Sequence, residues 1–129
     1  MEPADLRYHK EHEWVRVQGK QATLGISQFA QDALGDIVYI EMPKVGTTVA
    51  AGQEIGEIES TKTTSMLYTP VSGTIVKVNT ELKDHPEVVN QDPYGKGWLA
   101  VIELSDPSQA NALMTAAQYD AFLLSQKKG

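Results

Sequence analysis

The chain has 129 residues, 41% hydrophobic and 22% charged, which suits one globular domain with one hydrophobic core and argues against wholesale disorder. Eleven Lys and Arg face seventeen Asp and Glu, a formal charge of −6, so nucleic acid and an anionic membrane surface are poor partners and a basic patch on another protein is a better one. There is no cysteine, which removes disulfides, thiolate metal sites and sulfur nucleophiles.

Trp14–Val17 alternates apolar and polar residues, Gln18–Lys20 reads as a turn, and Ala22–Ile26 returns, so the pattern predicts a hairpin. Ser27 can cap a short helix over residues 28–34, with Phe29, Ala30, Ala33 and Leu34 on one face and Gly35 as the stop. Ile37–Ile40 is β-branched and aromatic and predicts a well-buried strand. From residue 43 to about 79 the pattern is all-β with frequent turns. Residues 43–49 and 70–76 share Pro, Gly, Thr and Val at a spacing of 27, which suggests two half-motifs packed face to face in a small sandwich. Between them, Ile55 and Ile58 mark a strand amid acids, residues 60–65 are polar, and Met66–Tyr68 is apolar again. Lys62 therefore falls at the tip of a hairpin.

Thr74–Val78 is another strand. Residues 79–97 read as loop with a turn of helix near Pro86–Val89, and Trp98–Leu104 reads as a strand. Asp106 and Pro107 open a helical tail. Thr115 and Gln118 have the spacing of a capping box, and Tyr119, Phe122 and Leu123 share a face that packs on the β-core. No linker divides the chain. One domain is expected over residues 1–129, with a core over about 8–104 and a helical tail over 106–126.

Phosphate-binding and dinucleotide-binding glycine motifs are absent, as is a nucleophile elbow. His9 and His12 are read as surface histidines rather than metal ligands, and Trp14 and Trp98 as strand residues packed in the core. No apolar run approaches the roughly 18 residues of a membrane span, and Met1–Leu6 lacks the marks of a secretory signal, so a cytoplasmic protein is expected. The chain reads as a carrier or binding module more than an enzyme.

Lys62 has two readings. One is a solvated surface lysine. The other is an attachment point: its neighbours Ser60, Thr61, Thr63 and Thr64 are small and polar, so a modifying enzyme can reach it. Its amine can form an amide, which abolishes the charge. A lysine stem extended by an acyl chain is then a flexible tether that keeps a reactive group at high effective concentration.

The chain resembles the H protein of the glycine cleavage system across residues 8 to 124. The motifs that carry the resemblance are His12-Glu13-Trp14-Val15, Leu24-Gly25-Ile26-Ser27 and the run from Ala30 to Val38. They continue with Pro43-Lys44-Val45-Gly46, Glu59-Ser60-Thr61-Lys62 and Pro70-Val71-Ser72-Gly73. Pro86–Asn90, Asp92–Gly95 and Gly97-Trp98 complete the series. The resemblance implies a mainly β, lipoyl-domain-like barrel-sandwich hybrid of antiparallel sheets, with short helices and a C-terminal helix. It implies lipoate in amide linkage to Lys62, attached by a dedicated enzyme. It also implies a monomeric, non-catalytic carrier. Its arm shuttles an aminomethyl group between glycine decarboxylase, aminomethyltransferase and dihydrolipoyl dehydrogenase. In the family the loaded arm folds into a cleft where polar groups hold the aminomethyl cation; Glu13 matches the family's glutamate in the His-Glu-Trp motif and reads either as part of that cleft or as a solvated acid beside a strand.

The chain departs from the family at Met66, where aspartate is usual, and at Glu11, where the plant-type sequence has serine. Thr61 and Thr63 replace the commoner valine and alanine. These changes leave the lipoyl-lysine expectation intact and bear on shielding of the aminomethyl group. They admit a second reading, an H-like lipoate-binding protein of bacterial sulfur oxidation that serves a heterodisulfide-reductase-like complex. A third is a relay that hands lipoate to other proteins.

Overall fold

The structure, a computed structural model, describes residues 6–128, with side chains to Ser125. Among these residues nine strands form two antiparallel sheets that do not close. The larger sheet runs in the order β1 (Arg7–Tyr8), β2 (Glu13–Gln18), β3 (Gln21–Ile26), β9 (Ala100–Leu104), β8 (Gly73–Val78) and β5 (Thr48–Val49). The smaller holds β4 (Ile37–Glu41), β6 (Glu54–Ser60) and β7 (Thr64–Tyr68). Short helices and a C-terminal helix complete the expected architecture.

The β2–β3 hairpin closes through Gly19 and Lys20, with Gln18 opposite Gln21. Trp14 lies opposite Gly25, where a Cβ would collide with the indole. The indole is fully buried, and its Nε1–H donates to the carbonyls of Ile26 (2.9 Å) and Pro93 (3.0 Å). That pair of bonds ties the hairpin to the loop that precedes β9.

Helix α1 (Gln28–Leu34) starts and stops where expected. The Ser27 hydroxyl accepts from the Ala30 amide at 3.2 Å, and Gly35 donates to the Gln31 carbonyl at 3.0 Å. Its buried face differs from the apolar pattern, however: Gln31 and Leu34 are buried and Ala33 is exposed. Gln31 is drawn inward because Asn90 donates to its Oε1 at 2.9 Å.

Strand β4 is less buried than its composition predicts. Val38 and Tyr39 are 53% and 48% exposed. The strand lies at the edge of the smaller sheet, and a bulge between Ile37 and Tyr39 shifts its register. A second bulge, between Glu54 and Gly56, explains how Ile55 and Ile58 both reach the interior although strict alternation would oppose them. The two similar segments also differ from expectation. They do not pack face to face; β5 and β8 pair side by side, with Thr48 opposite Thr74 and Val49 opposite Gly73.

The 79–97 region holds two short helices, α2 (Glu81–Asp84) and α3 (Val88–Gln91), where one turn was expected. Trp98 precedes β9 rather than lying on it and is only half-buried, with the Lys77 ammonium 5.5 Å from its ring centroid. The tail begins as a 3-10 helix (Pro107–Ala112) and becomes α4 (Ala116–Lys128). Its capping box forms as predicted: Gln118 donates its amide to the Thr115 hydroxyl (3.2 Å), and the Gln118 side chain accepts from the Thr115 amide (2.9 Å). No described helix is long and apolar enough to cross a membrane.

Candidate functional site

Lys62 stands exposed in the turn between β6 and β7, as the polar interruption in the sequence predicts. The turn is ordered by Ser60. Its amide donates to the Thr63 carbonyl at 2.8 Å, and its hydroxyl accepts from the amides of Lys62 (3.2 Å) and Thr63 (3.1 Å). A serine hydroxyl that bonds the backbone two and three residues ahead is a local substitute for backbone turn bonding. The Thr61 amide reaches across to the Asp36 carbonyl at 3.0 Å, which fastens the tip to the corner between α1 and β4.

That corner is built to receive the lysine. Gly35 has φ 81°, and a Cβ there would lie 3.1 Å from Lys62 Cε. Any side chain would therefore strain the backbone and crowd the lysine stem. Asn90, from α3, clamps the corner. It donates to the Gly35 carbonyl at 2.8 Å and accepts from the Ile37 amide at 2.9 Å. Asn90 was read only as part of a motif. Its role was not legible because its partners lie more than fifty residues away in the chain.

Glu13, the second expected site residue, is buried at 2% exposure. Its Oε1 meets His9 Nδ1 at 2.8 Å, and its Oε2 faces the Tyr68 amide at 3.4 Å. Burial raises its pKa above the usual carboxylate value, and His9 and the Tyr68 amide oppose that rise. An open pocket of about 560 Å³ lies beside this pair, lined by His9, Lys10 and Glu11 of the turn, by Tyr68, and by Gln109 and Leu113 of the tail. Thr64, Met66 and Tyr68 alternate on one face of β7, so that strand runs from the lysine tip to the pocket. Four steps of a strand span about 13 Å, a distance of the order of a lysine stem plus a medium acyl chain. Met66, 38% exposed, stands along that route.

His9 and His12 are not the surface histidines expected. His9 is engaged by Glu13, and its side chain is only 17% exposed. His12 has φ 74°, held by its amide donating to the His9 carbonyl (2.8 Å) and by Ser27 donating to its own carbonyl (2.9 Å). Its ring lies 4.6 Å from Phe29 and 5.8 Å from Tyr119, and Nδ1 meets the Tyr119 hydroxyl at 2.7 Å. That hydroxyl also meets the Ser27 hydroxyl at 2.7 Å. Burial lowers the His12 pKa. The turn that carries Glu11 and leads into Glu13 is thus bolted to both α1 and α4. Among the described residues no group of three or more ligating side chains could hold a metal ion.

An exposed primary amine on a hairpin tip, one strand's length from a pocket lined by His9, the partner of the buried Glu13, is the arrangement of a protein that presents a lysine rather than encloses a reaction. The family model for glycine cleavage H-protein matches residues 6–126. A glycine cleavage system H protein of Myxococcus xanthus is 56% identical over 121 residues, 94% of each chain. One of Bacillus subtilis is 53% identical over 118 residues, 92% of this chain and 93% of its own. The crystal structure of a glycine cleavage system H protein from Mycobacterium marinum superposes with a TM-score of 0.85 at 42% identity, covering 92% of this chain and 96% of that one. The chain belongs to the glycine cleavage H-protein family, the lipoyl carriers of glycine cleavage, which bear lipoate on a lysine. These matches favour glycine cleavage over the sulfur-oxidation and relay readings.

Proposed function

We propose that Lys62 anchors lipoate in amide linkage and that the chain is a non-catalytic carrier, the chemistry being done by glycine decarboxylase, aminomethyltransferase and dihydrolipoyl dehydrogenase. The observation that supports this most is the Ser60-ordered tip with its exposed amine lying over Gly35. When bound, lipoate supplies a dithiolane that takes up an aminomethyl group and is later reoxidised. The chain's own residues position and shield. Amide formation removes the Lys62 charge, so the stem can lie along β7 without desolvating an ammonium. Glu13 offers a buried carboxylate to a cation at the end of that path, and Glu11 adds a second acid at the pocket wall. We take the whole chain to act as one monomeric carrier unit.

Incubation with a lipoate-attaching enzyme followed by intact mass tests the anchor. Wild type is expected to gain one lipoyl group and Lys62→Ala none, with stability within about 0.5 kcal/mol of wild type, as for an exposed turn residue. Modification of Lys62→Ala, or its collapse, contradicts the assignment.

A further inference from the structure

The pocket at the far end of β7 is walled mainly by uncharged groups. Ala51, Tyr68, Pro70, Ala112 and Leu113 line it, and the buried Glu13 does not. His9 lines it instead, with its Nδ1 already engaged by Glu13 at 2.8 Å. The side-chain carbonyl of Gln109 is also spent, accepting from the Ser72 amide at 2.7 Å. Two ionised groups remain at the wall, Lys10 and Glu11. They are adjacent, opposite in sign and exposed, so their fields largely cancel and water screens the rest. The approach has the same uncharged character. Met66 stands between the lysine tip and Tyr68 on one face of β7. It is 38% exposed, whereas Met42 and Met114 are half-buried and pack against the core.

We propose that this face and pocket seat the lipoyl arm in its uncharged resting state, before it takes up cargo, with Met66 under the acyl chain and Tyr68, Ala112 and Leu113 around its end. The inference rests on the carrier reading above and deepens it. A medium acyl chain in water exposes methylene groups whose burial is favourable. Neither the chain nor a dithiolane carries a charge that needs a partner. The strongly polar group of the arm is its amide, which stays in water at the exposed lysine. A free Lys62 ammonium gains nothing by leaving water, so acylation is what fills the seat. The flexible thioether of Met66 adapts to a chain without fixing one geometry, which suits an arm that must leave again.

The test installs octanoyl-lysine at position 62 during translation, so that no attaching enzyme is involved. Octanoyl has the length of the lipoyl chain and no sulfur. Acetyl-lysine at the same position is the control: it removes the charge but is too short to reach the pocket. Neither readout is carrier activity. In methyl NMR, the Ala112 and Leu113 signals are expected to move with octanoyl and with lipoyl, and to stay in place with acetyl. In dilute hydrogen peroxide, Met66 should oxidise about threefold more slowly in the octanoyl than in the acetyl protein if the seat is filled roughly two-thirds of the time. Met42 and Met114 serve as internal references. Met66→Asp puts a charge under the chain and should return the Ala112 and Leu113 signals of the octanoyl protein toward the acetyl positions. Tail methyl signals that are the same in octanoyl and acetyl proteins, or Met66 oxidised equally fast in both, overturn the seat. So does a response to lipoyl with none to octanoyl, since the arm would then be read by its sulfur. A wild type that a lipoate-attaching enzyme leaves unmodified overturns the carrier reading, whereas the octanoyl comparison judges the seat separately.

Discussion

Ser60 lies two residues before Lys62, and its hydroxyl takes the two amides that would otherwise open the tip to water. Gly35 supplies the floor under the lysine and Asn90 fixes that floor from another helix. Lys62 itself was legible in the sequence, because a polar break between apolar strand segments marks a hairpin tip. Glu13 was legible as a motif member, but its burial was not. That burial depends on the left-handed turn at His12 and on β7 approaching from fifty-five residues away. The contact of His9 with Glu13 was not legible for the same reason. Met66 is exposed on the same face of β7 as Thr64 and Tyr68. Met66→Asp puts a carboxylate on the β7 face between the lysine and the pocket, where it can meet an ammonium. Slower loss of a bound aminomethyl group is expected, read as decay of the charged carrier by mass. Unchanged or faster decay would count against the arm path along β7.

Elements were read best where a local chemical signal sets them. Ser27 and Gly35 bracket α1, and Thr115 with Gln118 opens α4, each by hydrogen bonds within one turn. They were read worst where a tertiary neighbour decides. The exposure of β4 follows from its edge position, and the alignment of Ile55 with Ile58 follows from a bulge. The docking of α4 has a pH consequence. Tyr8 stacks on Tyr119 at 4.6 Å, and the Tyr119 hydroxyl meets both His12 and Ser27. With His12 neutral the set closes in either direction, from Ser27 through Tyr119 to Nδ1 or from Nδ1 through Tyr119 to Ser27. Protonation leaves only the second and puts a charge on a part-buried ring. Because the folded His12 pKa lies below its ordinary 6.5, the unfolded chain binds the proton first as pH falls. Stability should therefore drop as pH falls below 6.5, until the lowered folded value is passed. Glu13 acts in the opposite sense, since its raised folded pKa means that ionisation above its ordinary 4.5 costs stability. Comparing the melting temperature of wild type and His12→Gln from pH 7 to 5 isolates the first effect. The variant should lose part of the acid-side decline; parallel curves would contradict the role given to His12.

At the scale of the whole molecule, the larger sheet is the platform and the smaller sheet is the presenter. The smaller sheet's central strand runs straight into the lysine tip, while the tail closes the far pocket. Fold class was legible because turn residues and short apolar segments recur through the chain, and an all-β reading needs little else. The lateral pairing of β5 with β8 was not, because similar segments pack equally well across or along a sheet. A net charge of −6 favours partners that present basic surfaces. The most direct measurement is glycine–bicarbonate exchange by a glycine decarboxylase, with lipoylated protein checked by intact mass and Lys62→Ala as control. Exchange that requires Lys62 is the expected result. No exchange with lipoate in place on Lys62, while a known carrier works in parallel, would contradict the assignment.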